Sequence, residues 1–126
     1  MISDRGRLSG GIMKIHRVIE VLDATVLCGS ELLDREIQSA GAADLMSDVL
    51  AYIRTESLLL TGLTNTQVIR TADMMDIVCI VFVRGKKPTA EVVEYGRAHD
   101  MVLLSTPYKM YYASGLLFQA GLGACE

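Results

Sequence analysis

The chain has 126 residues, 51% hydrophobic and 21% charged, which is enough apolar material for one core and too much for disorder beyond the ends. Its longest apolar runs, around Leu58–Leu60 and over Ile77–Val83, fall far short of the roughly 20 residues that span a bilayer, and no signal-peptide pattern opens the sequence; a cytoplasmic protein without a membrane segment is expected. Twelve basic against fifteen acidic residues give a net charge of −3, which excludes sequence-independent nucleic-acid binding, because that needs a concentrated basic face.

Residues 1–12 carry three charges and three glycines without periodicity and are expected to form a flexible N-terminal extension. The body without them holds ten basic and fourteen acidic residues, or −4. A single domain is expected over 13–120, followed by a short C-terminal tail over 121–126. Ile15, Val18, Ile19 and Leu22 recur at helical spacing and predict a first helix over Lys14–Leu22. Ala24–Cys28 is β-branched and apolar, ends at Gly29-Ser30, and reads as a strand. Glu36–Asp44 reads as a strand of weak propensity, and Leu45–Ile53 as a helix capped by Asp44 or Ser47.

From Ser57 onward three units repeat, each an apolar strand, a polar turn and a helix, which is the βαβ pattern. Leu58–Leu60 lead through Thr61-Gly62 to a capping box, Thr64-x-x-Gln67, ahead of Val68, Ile69, Ala72 and Met75 on one helix face. Ile77–Val83 is continuous enough to be buried on both sheet faces; it ends at Arg84-Gly85-Lys86-Lys87-Pro88, before a helix near Thr89–His99. Met101–Leu104 lead to Ser105-Thr106-Pro107, where Thr106 is placed to cap the last helix and Pro107 to occupy its first position. Right-handed crossovers then build a three-layer α/β/α fold around a largely parallel sheet.

In such a fold the turns that follow the strands collect at one edge, where ligands of open α/β proteins bind. Here that edge gathers Thr61, Gly62, Asn65, Arg84, Gly85, Lys86 and Thr106. Helix starts with unpartnered N–H groups, glycines that permit close approach, and the densest positive charge of the chain together describe an anion site. A nucleotide or another phosphorylated small molecule fits it. Neither GxGxxG nor GxxxxGK[ST] occurs, and the odd, widely spaced Cys28, Cys79 and Cys125 lack the pairing of a zinc or redox site. His16 and His99 are isolated. Asp44 with Asp48, and Asp73 with Asp76, lack a third ligand, so neither a metal nor a cofactor is expected.

The last helix, with Tyr108, Met110, Tyr111, Tyr112, Leu116, Leu117 and Phe118, is apolar on more than one face. A domain this small has no place to bury such a helix all round. Tyr108, Tyr111, Tyr112 and Leu116 are therefore candidate interface residues, and a homodimer is the expected assembly, with a further protein partner also compatible.

The segments HRVIEVLDATVLCGSELLDREI (16–37), AADLMSDVLAYIRTESLLLTG (42–62) and IVFVRGKKPTAEVVEYGRAHDMVLLSTPYKMYYAS (80–114) together resemble the DRTGG domain. The positions that match its pattern are Gly29, Asp34, Arg35, Asp44, Thr61, Gly62, Gly85, Pro88, Thr106 and Pro107. Arg84-Gly85 departs from it, standing where members often carry a second Thr-Gly or Gly-Gly. The resemblance implies a fold similar to the N-terminal domain of HPr kinase/phosphorylase and, more distantly, to the N-terminal domains of Mur ligases that hold a uridine nucleotide. In larger relatives the domain accompanies CBS domains in pyrophosphatases or precedes phosphotransacetylase, and there it is regulatory and helps the chain dimerise. A stand-alone, non-catalytic DRTGG module is the implied reading, ligand-sensing or scaffolding, without the kinase's phosphate-binding loop. Pure dimerisation without a ligand is one alternative. A small hydrolase or transferase built on Asp44 with Asp34 and Arg35 is the other.

Overall fold

Apolar periodicity and turn chemistry resolve into seven strands and five helices over residues 11–125, the part of the chain that the computed structural model describes. In chain order these are β1 (Met13–Lys14), α1 (Ile15–Leu22), β2 (Thr25–Cys28), a 3-10 turn (Ser30–Leu32), β3 (Glu36–Ile37) and β4 (Ser39–Ala42). There follow α2 (Met46–Tyr52), β5 (Ser57–Thr61), α3 (Thr66–Met74), β6 (Cys79–Phe82), α4 (Ala90–Ala98), β7 (Val102–Ser105) and α5 (Met110–Gln119). The expected extension over 1–12 lies almost wholly outside the described residues.

The main sheet has the order β2-β7-β6-β5-β4. β4, β5, β6 and β7 are mutually parallel, and only β2 runs antiparallel, against β7, with a bulge between Val26 and Cys28. β1 and β3 form a separate antiparallel pair, Met13 opposite Ile37. The weak strand expected over Glu36–Asp44 is thus two strands, one in each sheet.

Alternation along the central strands sends side chains to two cores. Leu58, Leu60, Cys79, Val81, Val102 and Leu104 meet Ile15, Val18 and Leu22 of α1 and Ala113 and Leu117 of α5 on one face. Leu59, Ile80, Phe82 and Leu103 meet Val49 of α2, Val68, Ile69 and Ala72 of α3 and Val92 of α4 on the other. The architecture is therefore three-layer α/β/α. The three crossover helices share one face because consecutive parallel strands lie side by side and each crossover keeps the same hand. Gly29 closes the bulged strand at φ 88°, with any Cβ placed 2.9 Å from the Val102 backbone; only glycine fits there.

Helix starts depart from the capping expected above. Leu45 stands at the N-cap of α2 without a side-chain bond, because Asp44 is engaged elsewhere. Asn65, not Thr64, caps α3 by accepting from Val68 N–H. Thr106 and Pro107 do not start α5, which begins three residues later behind Lys109. Thr106 is fully buried, and its hydroxyl donates to the Leu22 carbonyl at 2.7 Å, tying the end of β7 to the end of α1. α4 is capped by Thr89, whose hydroxyl accepts from Val92 N–H.

Candidate functional site

The C-terminal ends of β4, β5, β6 and β7 form one edge, and four turns supply its side chains. Asp44 follows β4, and its backbone neighbour Ala43 donates to Leu60 of β5. Thr61-Gly62 end β5, Arg84-Gly85 follow β6, and Thr106-Pro107-Tyr108 follow β7. The turn after β6 is closed by Lys86 N–H donating to Val83 C=O, and is pinned to the next turn by Arg84 N–H to Tyr108 C=O and Gly85 N–H to Thr106 C=O, both 2.7 Å. Both of its central residues have positive φ, Arg84 at 62° and Gly85 at 68°.

At the centre is a carboxylate. Asp44 Oδ1 accepts from Gly62 N–H at 2.7 Å and from the Thr61 hydroxyl at 2.9 Å, while Thr61 Oγ1 accepts from Leu63 N–H at 3.2 Å. The two bonds to the Asp44 carboxylate are charge-assisted, the stronger class. Thr61 and Gly62 are buried, while Asp44 and Arg84 are exposed. The Arg84 guanidinium lies over Gly62: a Cβ added there would stand 2.7 Å from its terminal nitrogen and 3.6 Å from Asp44 Oδ1. Among the described residues Arg84 makes no ion pair within 4.0 Å.

The residues expected at this edge are therefore brought together, but several of their polar groups are already satisfied from within. Gly62 N–H donates to Asp44, Gly85 N–H to Thr106 C=O and the Thr106 hydroxyl to Leu22 C=O, while the Asn65 side-chain oxygen accepts from Val68 N–H of its own helix. Arg84, Lys86 and Lys87 are exposed, and the Lys86 carbonyl accepts from the Ser105 hydroxyl. Pro88 follows them, and Pro107 is exposed beside the buried Thr106.

Gly29, Asp34 and Arg35 lie at the opposite edge. Gly29 abuts Met101 and Val102 at the start of β7, Asp34 pairs with His16 Nε2 at 3.1 Å, and Arg35 donates to the Asp100 carbonyl at 3.1 Å. A strand of four residues separates the edges by about 13 Å, so Asp44 does not combine with Asp34 and Arg35, and the carboxylate reading built on those three falls. A cavity of about 590 Å³ opens at this second edge, lined by Glu36, Glu56, Asp73, Asp76 and Asp100 with Arg35 and His99 among others. Sequence reasoning did not find this cavity, although its three residues of positive φ, Glu56, Asp76 and Asp100, all stand where a helix or loop turns back into a strand. No group of three metal-ligating side chains is assembled among the described residues.

Tyr108, expected on the last helix, lies in the turn before α5; it and Leu116 of α5 are half-buried against the core, and Tyr108 packs edge-on to Tyr112, centroids 4.9 Å apart. Tyr111, Tyr112 and Phe118 face outward, Tyr111 92% exposed. A groove of about 380 Å³ runs between Tyr111, Gly115 and Phe118 and the edge strand β4 at Ala40–Ala42. Burial pushes the Cys28 and Cys79 thiols above their ordinary range.

The DRTGG domain family matches residues 17–120. No curated protein matches the chain significantly. Among solved structures, it is similar to the CBS and DRTGG domains of the regulatory region of Clostridium perfringens pyrophosphatase, complexed with its activator diadenosine tetraphosphate. That likeness has TM-score 0.71 at 14% identity and covers 94% of this chain and 50% of the solved one. The present chain thus spans about half the length of that relative, and the likeness is one of fold. No helix among the described residues is long and apolar enough to cross a membrane. With a family match that runs from within α1 to just past α5, and a fold shared with a solved DRTGG region, the chain belongs to the DRTGG domain family.

Proposed function

We propose that this chain is a non-catalytic regulatory module, homodimeric, that senses a nucleotide or another phosphorylated small molecule at the edge where β5, β6 and β7 end. The observation that carries this reading is Arg84, an exposed guanidinium laid over the Gly62 backbone by a turn of positive φ. Non-glycine residues at φ near +60° cost about 1 kcal/mol or more, and such strain collects at functional positions. Lys86 and Lys87 extend the positive charge from the same turn. The family supports a regulatory role, since a relative of the same fold is a regulatory region solved with a nucleotide activator.

Calorimetric titration with ATP, AMP and diadenosine tetraphosphate tests the reading. Saturable binding near one per chain is expected, weakened at least about tenfold by Arg84→Ala with Lys86→Ala. Absence of binding by any phosphorylated probe, or affinity unchanged in the double variant, removes the ligand. Assembly without a ligand is the second reading, favoured by the outward Tyr111, Tyr112 and Phe118 of α5.

A further inference from the structure

Within the site proposed above, and resting on that reading, we infer that Asp44 sets the ligand's chemistry: the group seated over Gly62 is a hydrogen-bond donor, such as the vicinal hydroxyls of a ribose, and the phosphate lies on the Arg84 side. The turn after β5 has the composition of an anion cradle, yet its two nearest donors, Gly62 N–H and the Thr61 hydroxyl, converge on one oxygen of Asp44 at 2.7 and 2.9 Å. A phosphate placed there would have to displace a carboxylate held by two charge-assisted bonds, or sit against its like charge. Ionised carboxylates only accept, and each has about four acceptor positions; Asp44 Oδ2 has no partner among the described residues.

The carboxylate itself is well placed to select. Its Oδ1 is anchored by groups that are buried, while the residue as a whole is exposed, so Oδ2 is oriented rather than free to swing. Arg84, which only donates, reaches within 2.7 Å of where a methyl group on Gly62 would stand, and Asp44 Oδ1 within 3.6 Å of it. The surface above Gly62, a residue without a side chain, thus presents both an acceptor and a cationic donor. A nucleoside phosphate carries the matching pair, vicinal hydroxyl donors on a ribose held at a fixed distance from an anionic acceptor, whereas a polyphosphate without the nucleoside lacks the ribose hydroxyls.

Titration calorimetry with ATP, 2′,3′-dideoxy-ATP and tripolyphosphate, on the wild type and on Asp44→Asn, separates the outcomes. Wild type is expected to bind ATP at least about tenfold tighter than either other probe, because a site built to pair a hydroxyl rejects the analogue that lacks it. In Asp44→Asn, whose amide oxygen still accepts from Gly62 and Thr61, that preference is expected to shrink to about twofold. Equal binding of ATP and dideoxy-ATP by the wild type overturns the inference even if the variant does not fold. A gain of tripolyphosphate affinity in Asp44→Asn overturns it too, and makes Asp44 a plug in an anion site. Either result leaves the proposed ligand edge standing, provided binding still depends on Arg84. If none of the probes binds, both fall together.

Discussion

Arg84 shows how much one residue's backbone contributes to its side chain's position. In an extended turn its guanidinium would follow the strand outward; at φ 62° it is carried back across Gly62, and any Cβ at 62 would displace the flexible tip rather than the backbone. The three cysteines divide in the same residue-by-residue way. Cys79 is fully buried and Cys28 nearly so, and burial favours the protonated thiol in both, whereas Cys125 is half-exposed, 3.2 Å from the Ser39 hydroxyl. A disulfide reagent at neutral pH is expected to label one thiol per folded chain and three in denaturant, with Cys125→Ser abolishing the folded-state signal. Labelling of two thiols in the native protein would show that Cys28 or Cys79 is accessible. The raised thiols also carry a pH sign. The unfolded chain releases these protons above about pH 8.5, the folded chain holds them, and so their contribution to stability is lost as pH rises beyond that point. Burial of Cys79 was legible in its apolar run. The role of Asp44 was not, because its partners lie 17 and 18 residues away and local sequence favoured it as a cap.

Helix ends follow a common rule here, with an unusual choice of residue. α1, α3 and α4 each finish on a turn in which the next N–H reaches five residues back, Ala24 to Ile19, Ile77 to Ala72 and Met101 to Gly96. The residue of positive φ in each is acidic, Asp23, Asp76 and Asp100. α5 ends by the same bond, Leu122 to Leu117, but with glycine at 121. Glycine removes the left-handed penalty, and loss of the carboxylate relieves repulsion from the negative helix end, partly offset by a freer unfolded chain. Asp76→Gly and Asp100→Gly are each expected to raise stability by about 0.5–1 kcal/mol, read as a higher urea midpoint at constant slope. A lower midpoint would mean that the carboxylates make a compensating interaction at the cavity they line. The elements themselves were largely legible, since continuous apolar runs mark two-sided parallel strands and polar-apolar periodicity marks their crossover helices. Caps were less so. Thr64 and Asn65 are both chemically competent at the start of α3, and Thr106 was drawn into the core by a carbonyl 84 residues away.

Among the described residues the two edges of the sheet differ in charge, although Asp44 stands at the basic edge and Arg35 at the acidic one. Arg84, Lys86 and Lys87 stand where the strands end, while Glu36, Glu56, Asp73, Asp76 and Asp100 surround the cavity where they begin. The net charge of −3 is thus unevenly spread, and an anion meets more positive charge at the Arg84 edge than at the cavity. The layer arrangement was readable from the order of strands and helices, but the separation of Asp34 and Arg35 from Asp44 was not, because it depends on which end of each strand a turn occupies. The outward face of α5 belongs to this scale as well. Tyr111 and Phe118 add nothing to the core at 92% and 68% exposure, so Tyr111→Ser with Phe118→Ser is expected to convert the proposed dimer to a folded monomer, measured by sedimentation at about 100 μM chain. A wild type that sediments as a monomer at that concentration removes the dimer.

Near the groove beside α5 the chain also returns on itself. Gly123 donates its N–H to the Gly11 carbonyl at 3.2 Å and accepts from Ala40 N–H at 2.9 Å, so the place where the backbone comes into the body and the place where it leaves are adjacent. A domain whose two ends meet behaves as a cassette: it can be spliced between segments of a longer polypeptide without pulling them apart, and a pull on either flank is felt at the same spot on the edge strand.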